Sequence, residues 1–91
     1  MTSERHEQYR AALAIIDALG PSKLHPAERE TLAGCAEDLL LSDDPLQARV
    51  QREAALELLD RLVLSGRWLA PTARELGGHI QACGPAALLA A

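Results

Sequence analysis

The segment from Pro45 to Gly66 constrains this chain more than any other. Read as a helix, it places Ala54, Ala55, Leu56, Leu58, Leu59, Leu62 and Val63 on one side. At 100° per residue these seven positions sweep an arc of roughly 200°, twice the width of an ordinary surface-helix stripe. Glu53, Glu57, Asp60 and Arg61 fill the remaining face, with Glu57 and Arg61 at the favourable i,i+4 spacing. Water cannot cover so wide an apolar arc cheaply, so at least two other segments must pack against it.

Those segments are helices. The chain has 91 residues, the length of one domain with a modest core. Hydrophobic residues make up 48% of it and aromatics only 2%, namely Tyr9 and Trp68, so the core is built from leucine and alanine. Val, Ile and Thr are sparse and no segment alternates apolar and polar residues with period two, which removes most of the material for a strand.

Tyr9, Ala12, Leu13, Ile16 and Leu19 recur at helical spacing and predict a first helix over Glu4–Leu19, stopped by Gly20 and Pro21. Leu24 is expected to tuck under the loop that follows. Pro26 suits the first position of a second helix, with Glu28 and Glu30 near its positive end and Leu32, Cys35, Ala36, Leu39 and Leu40 as its buried stripe. Ser42, Asp43 and Asp44 break it, and Asp44 is the expected N-cap of the central helix, with Gln47 placed to close a capping box. Ser65 and Gly66 stop that helix. A fourth starts either with Pro71 at its first position or with Thr72 as N-cap and Glu75 closing a capping box; the second start is preferred. Its inner face is Ala73, Leu76, Gly77, Ile80 and Cys83. The expected fold is all-α, an antiparallel four-helix bundle-like domain spanning 1–91 around the helix 45–66. Residues 1–3 are expected to fray, and 86–91 either fray or add a last helical turn.

Function is far less constrained than fold. The net charge of −4 and pI near 5.2 disfavour a nucleic-acid or anionic membrane surface. The apolar runs at 11–16 and 86–91 are too short to span a bilayer, and the amino-terminal residues carry no apolar signal segment. Two cysteines make no disulfide framework, and a cytoplasmic location is expected. The chain lacks phosphate-binding glycine loops and the common hydrolase motifs, and its serines sit at helix ends, so no catalytic residue is assigned and no enzyme is expected.

Cys35, His79 and Cys83 are the one grouping with metal-ligating chemistry, His79 and Cys83 being four apart on one helical face. Burial in the core explains the same thiols without a metal, and no metal or cofactor is assigned. Glu37, Asp38, Asp43 and Asp44 form an acidic cluster, read as a solvated turn whose neighbours Arg49 and Arg52 offset its charge. Thr72–Gly77 resembles part of a helix-turn-helix, extending over residues 55–83. Its following segment, 83–88, contains a Gly-Pro breaker and no side chain that reads a base edge.

The adjacent pair Arg67 and Trp68 has the composition of a binding hot spot, although an indole also suits the plug of a corner. Together with Leu64, Leu69, Leu88 and Leu89 it forms the expected protein-interaction set. The expectation is a non-enzymatic protein-binding or regulatory module that pairs with itself as a homodimer and serves a second protein partner. A DNA-associated regulator and a small-ligand or metal carrier are the alternatives.

Overall fold

The computed structural model describes residues 2–85, and among them there are four helices and no strand: α1 (Thr2–Lys23), α2 (Pro26–Leu41), α3 (Pro45–Leu64) and α4 (Ala70–Ala82). Each helix packs on the one before it, as the short connections require. In addition α4 lies against both α1 and α2. The arc of α3 is thus covered on two sides, by α2 and α4, while α1 and α3 have no backbone contact.

Gly20 ends the regular part of α1 with φ 73° and ψ 170°. Helical geometry resumes at once, however, and runs to Lys23, four residues past the expected end. Proline at 21 cannot continue a ladder, but its fixed φ is well suited to open the extra turn. That turn delivers Leu24 into the core, its N–H donating to the Gly20 carbonyl at 3.1 Å.

Pro26 opens α2, and the Glu28 side chain folds back to accept the N–H of the N-cap residue His25 at 3.0 Å. Asp44 caps α3, its Oδ1 accepting from the Leu46 N–H at 3.0 Å. The N–H of Asp44 goes to Ser42 Oγ at 3.3 Å and not to Gln47, because the preceding serine already lies within reach.

Two boundaries differ from expectation. The central helix ends at Leu64 instead of Gly66: Ser65 is its C-cap, and Gly66, at φ 83°, closes the end by donating to the Val63 carbonyl at 3.0 Å. Helix α4 begins at Ala70, with Leu69 as N-cap and Pro71 in the first turn. The Thr72–Glu75 capping box does not form, since Thr72 is already inside the helix. Leu69 offers only its carbonyl, which accepts from Ala73 at 3.2 Å. Pro71 needs no acceptor there, so one orphan donor fewer requires a cap.

The core is leucine and alanine, with Ile16, Leu32, Leu39, Leu62, Leu76, Ile80 and Cys83 as its largest fully buried side chains. In α3 the buried residues are Ala48, Ala55, Leu58, Leu59 and Leu62. They occupy only about 100° of its circumference at 3.6 residues per turn. The rest of the wide arc is not buried by the described residues: Ala54 is exposed, and Leu56 and Val63 are half-covered.

Candidate functional site

Leu56 and Val63 remain half-covered because they line an open groove between α3 and α4. Gly77 is why the two helices come close enough to share one. A Cβ there would sit 3.2 Å from Leu56 Cδ2 and 3.4 Å from Leu59 Cδ1, tighter than ordinary contact. The groove has a volume of about 540 Å³. Its apolar lining is Leu56, Leu59, Val63, Ala70 and Ala73, together with Gly77.

The two edges of the groove carry opposite charge. Glu57 and Asp60 stand along the α3 edge and Arg74 along the α4 edge. All three are exposed, and among the described residues none of them joins an ion pair. At the turn where α3 passes into α4, Leu64 is 82% exposed and Leu69 75% exposed.

The rest of the expected interaction set is placed differently. Trp68 is not a surface anchor: it is 5% exposed, and its indole Nε1 donates to the Lys23 carbonyl at 2.6 Å. In a core so poor in aromatics it is the one side chain large enough to fill the corner between the end of α1 and the α3–α4 turn. Arg67 points inward along the same corner and grips Glu28 with both terminal nitrogens, at 2.7 and 2.9 Å. That bidentate bond, helped by the His25 N–H, holds the Glu28 carboxyl below its ordinary value against the opposing effect of burial. Leu88 and Leu89 lie outside the described residues.

Cys35, His79 and Cys83 do not assemble into a ligand set; among the described residues no three His, Cys, Asp or Glu side chains group for a metal. Both thiols are free and buried. Burial pushes the Cys83 thiol up to about 11, partly opposed by the nearby Arg5, and its Sγ donates to the His79 carbonyl at 3.3 Å. Burial and the neighbouring Asp38 also raise Cys35. His79 turns instead to α1, where its Nδ1 lies 2.7 Å from Gln8 Oε1.

The acidic turn has a partner that its own neighbourhood in the chain does not reveal. Among the described residues neither Arg49 nor Arg52 pairs with Asp43 or Asp44; Arg52 reaches Glu53 at 4.0 Å. The cation is Arg5 of α1. Its Nη2 donates to the carbonyls of Leu39 (2.7 Å), Leu40 (3.0 Å) and Ser42 (3.0 Å), its Nε to that of Cys83 (2.7 Å), and Nη1 lies 3.8 Å from Asp43. One guanidinium thus satisfies carbonyls at the C-terminal ends of both α2 and α4. A signal for it was present: Arg5 stands four residues before Tyr9 and seven before Ala12, on the apolar stripe of α1.

Helix α4 carries the Thr72–Gly77 stretch. Its exposed Arg74 is flanked by Glu75 and faces Glu57 and Asp60 across the groove, and Cys83 and Gly84, which open the segment 83–88, are buried. No helix among the described residues is long and apolar enough to cross a membrane. Compared with known proteins, the chain matches no family model, no curated protein and no solved structure.

Proposed function

We propose that this protein is a small, non-enzymatic protein-binding module whose working surface is the groove between α3 and α4. The observation that carries this reading is the uncovered part of the α3 arc. Leu56 and Val63 stay half-open in the groove, and the exposed Leu64 and Leu69 are the chain neighbours of its lining residues Val63 and Ala70. Contiguous apolar surface of this kind, edged by charged residues, is what a partner protein covers. The groove is open along its length, which suits a helix or a flat protein face better than an enclosed small molecule. The mixed charge at its edges is the wrong field for a phosphate backbone. Two buried, unpaired thiols accord with work in a reducing compartment such as the cytoplasm.

A photo-reactive residue placed at Ala70, which is exposed and lines the groove, tests the reading. It is expected to form protein adducts in the cell, whereas the same group at Ala14, exposed on α1, should not. Equal labelling from both positions, or none from either, counts against a binding face at α3 and α4.

A further inference from the structure

The partner that fits both edges of the groove is a second copy of this chain. We infer that the protein forms a two-fold dimer in which α3 of one copy lies over α4 of the other, with the axis running along the groove. The inference rests on the reading of the groove as a protein-binding face and adds the identity and geometry of its occupant.

The argument begins with the charges. Glu57 and Asp60 line the α3 edge and Arg74 the α4 edge of the same groove, and none of the three is ion-paired among the described residues. A partner helix of a single charge sign would match one edge and be repelled by the other. Two copies related by an axis along the groove exchange edges: the acidic edge of each faces the basic edge of the other, so the match is made twice.

The same operation handles the exposed leucines. Leu64 closes α3 next to the groove-lining Val63, and Leu69 caps α4 next to the groove-lining Ala70. Exchange of edges brings Leu64 of each copy toward Leu69 of the other and covers two side chains that stand 82% and 75% exposed in one chain. Leu56 and Val63 are sealed beneath them. An axis perpendicular to the groove would instead lay α3 on α3, setting acidic edge against acidic edge.

Charge exchange provides the test. Arg74→Glu and Asp60→Arg are each expected to weaken self-association about 100-fold or more, because like charges then meet at two symmetric places. Both side chains are exposed and join no ion pair among the described residues, so circular dichroism should show the fold unchanged. Mixed in equal amounts, the two variants are expected to recover a dimer by sedimentation equilibrium, since both facing pairs between positions 60 and 74 are again opposite in sign and only Glu57 of the Asp60→Arg chain is left against an edge of its own charge. The double variant carrying both changes should recover a homodimer. A wild-type chain that stays monomeric at high micromolar concentration overturns the inference, as does a mixture that fails to associate. If the chain is monomeric yet Ala70 still yields adducts with another protein, the self-pairing falls and the binding face stands. If it is monomeric with no adducts, both fall.

Discussion

Arg5 holds together two helix ends that would otherwise repel. The carbonyl ends of α2 and α4 each carry partial negative charge, and α2 has no basic residue in its last turn but has Glu37 and Asp38 close to it. A planar cation with fixed donors is the group that can bridge such ends, and four of the Arg5 bonds are spent on main-chain carbonyls. Replacing it leaves those carbonyls to whatever water can reach them. Arg5→Ala is expected to destabilise the protein by about 1.5–3 kcal/mol, the range for hydrogen bonds to a charged group. Arg5→Lys should recover little of the loss, because one ammonium cannot reproduce the fork. Chemical denaturation measures both; a loss below about 0.5 kcal/mol would place Arg5 among ordinary surface residues. The Arg67–Glu28 pair adds a dependence on pH. The Glu28 carboxyl is lowered from its ordinary 4.5 in the folded state. Its contribution is therefore present above pH 4.5 and is lost as pH falls toward and through the depressed folded value. Arg67→Met should lower the urea midpoint at pH 7, and the difference from wild type should shrink at pH 3. A difference independent of pH would show that Arg67 acts by packing alone.

At the scale of elements, the periodic stripes were legible and the ends were not. The inner faces expected for α2 and α4 are the ones buried, except that Leu40 of α2 is only half-buried, because apolar spacing over a dozen residues averages out local exceptions. Ends depend on one or two residues whose caps compete. Thr72 and Glu75 spell a capping box, yet Pro71 two places into α4 starts the helix earlier and leaves Thr72 inside. The groove was legible only as an excess: the α3 arc was too wide, but which part would stay open depends on how near α4 comes, and that is set by Gly77. The neighbouring pair Gly77 and Gly78 separates packing from helix propensity. A methyl at Gly78 meets nothing within 4 Å, whereas one at Gly77 meets Leu56 and Leu59. Gly78→Ala is expected to stabilise by about 0.5–1 kcal/mol through propensity alone. Gly77→Ala should gain clearly less, since the two leucines must shift to admit it. Equal gains at both positions, read from thermal or urea midpoints, would mean that α3 and α4 are not in close contact at Gly77.

The molecule as a whole is fastened at both ends of its 35 Å length. Near one end Arg5 joins the start of α1 to the ends of α2 and α4, and His79 meets Gln8 beside it. At the other, Trp68 binds the Lys23 carbonyl, Arg67 grips Glu28, and Arg29 pairs with Asp17. None of these links joins residues of the same helix, and the sequence did not show them, because nothing in local spacing indicates which distant segment a lone arginine or tryptophan will meet. Helix α3 takes part only through its ends and through its contacts with α2 and α4. The physical question is whether it nevertheless melts with the rest. Its buried side chains Leu58, Leu59 and Leu62 belong to the same core as Leu76 and Ile80, so releasing α3 would expose the inner face of α4 as well. Unfolding is therefore expected to be a single transition. Trp68 fluorescence, which reports the corner, and far-ultraviolet circular dichroism, which reports all four helices, should give the same midpoint. Calorimetry should give an enthalpy of about 60 kcal/mol near 60 °C, the usual value for a chain of this size, equal to the van't Hoff value. If the chain pairs along the groove, the common midpoint also rises with protein concentration. Helix content that falls well before the fluorescence changes would mean that α3 detaches first, and that the core seen here is two cooperative units instead of one.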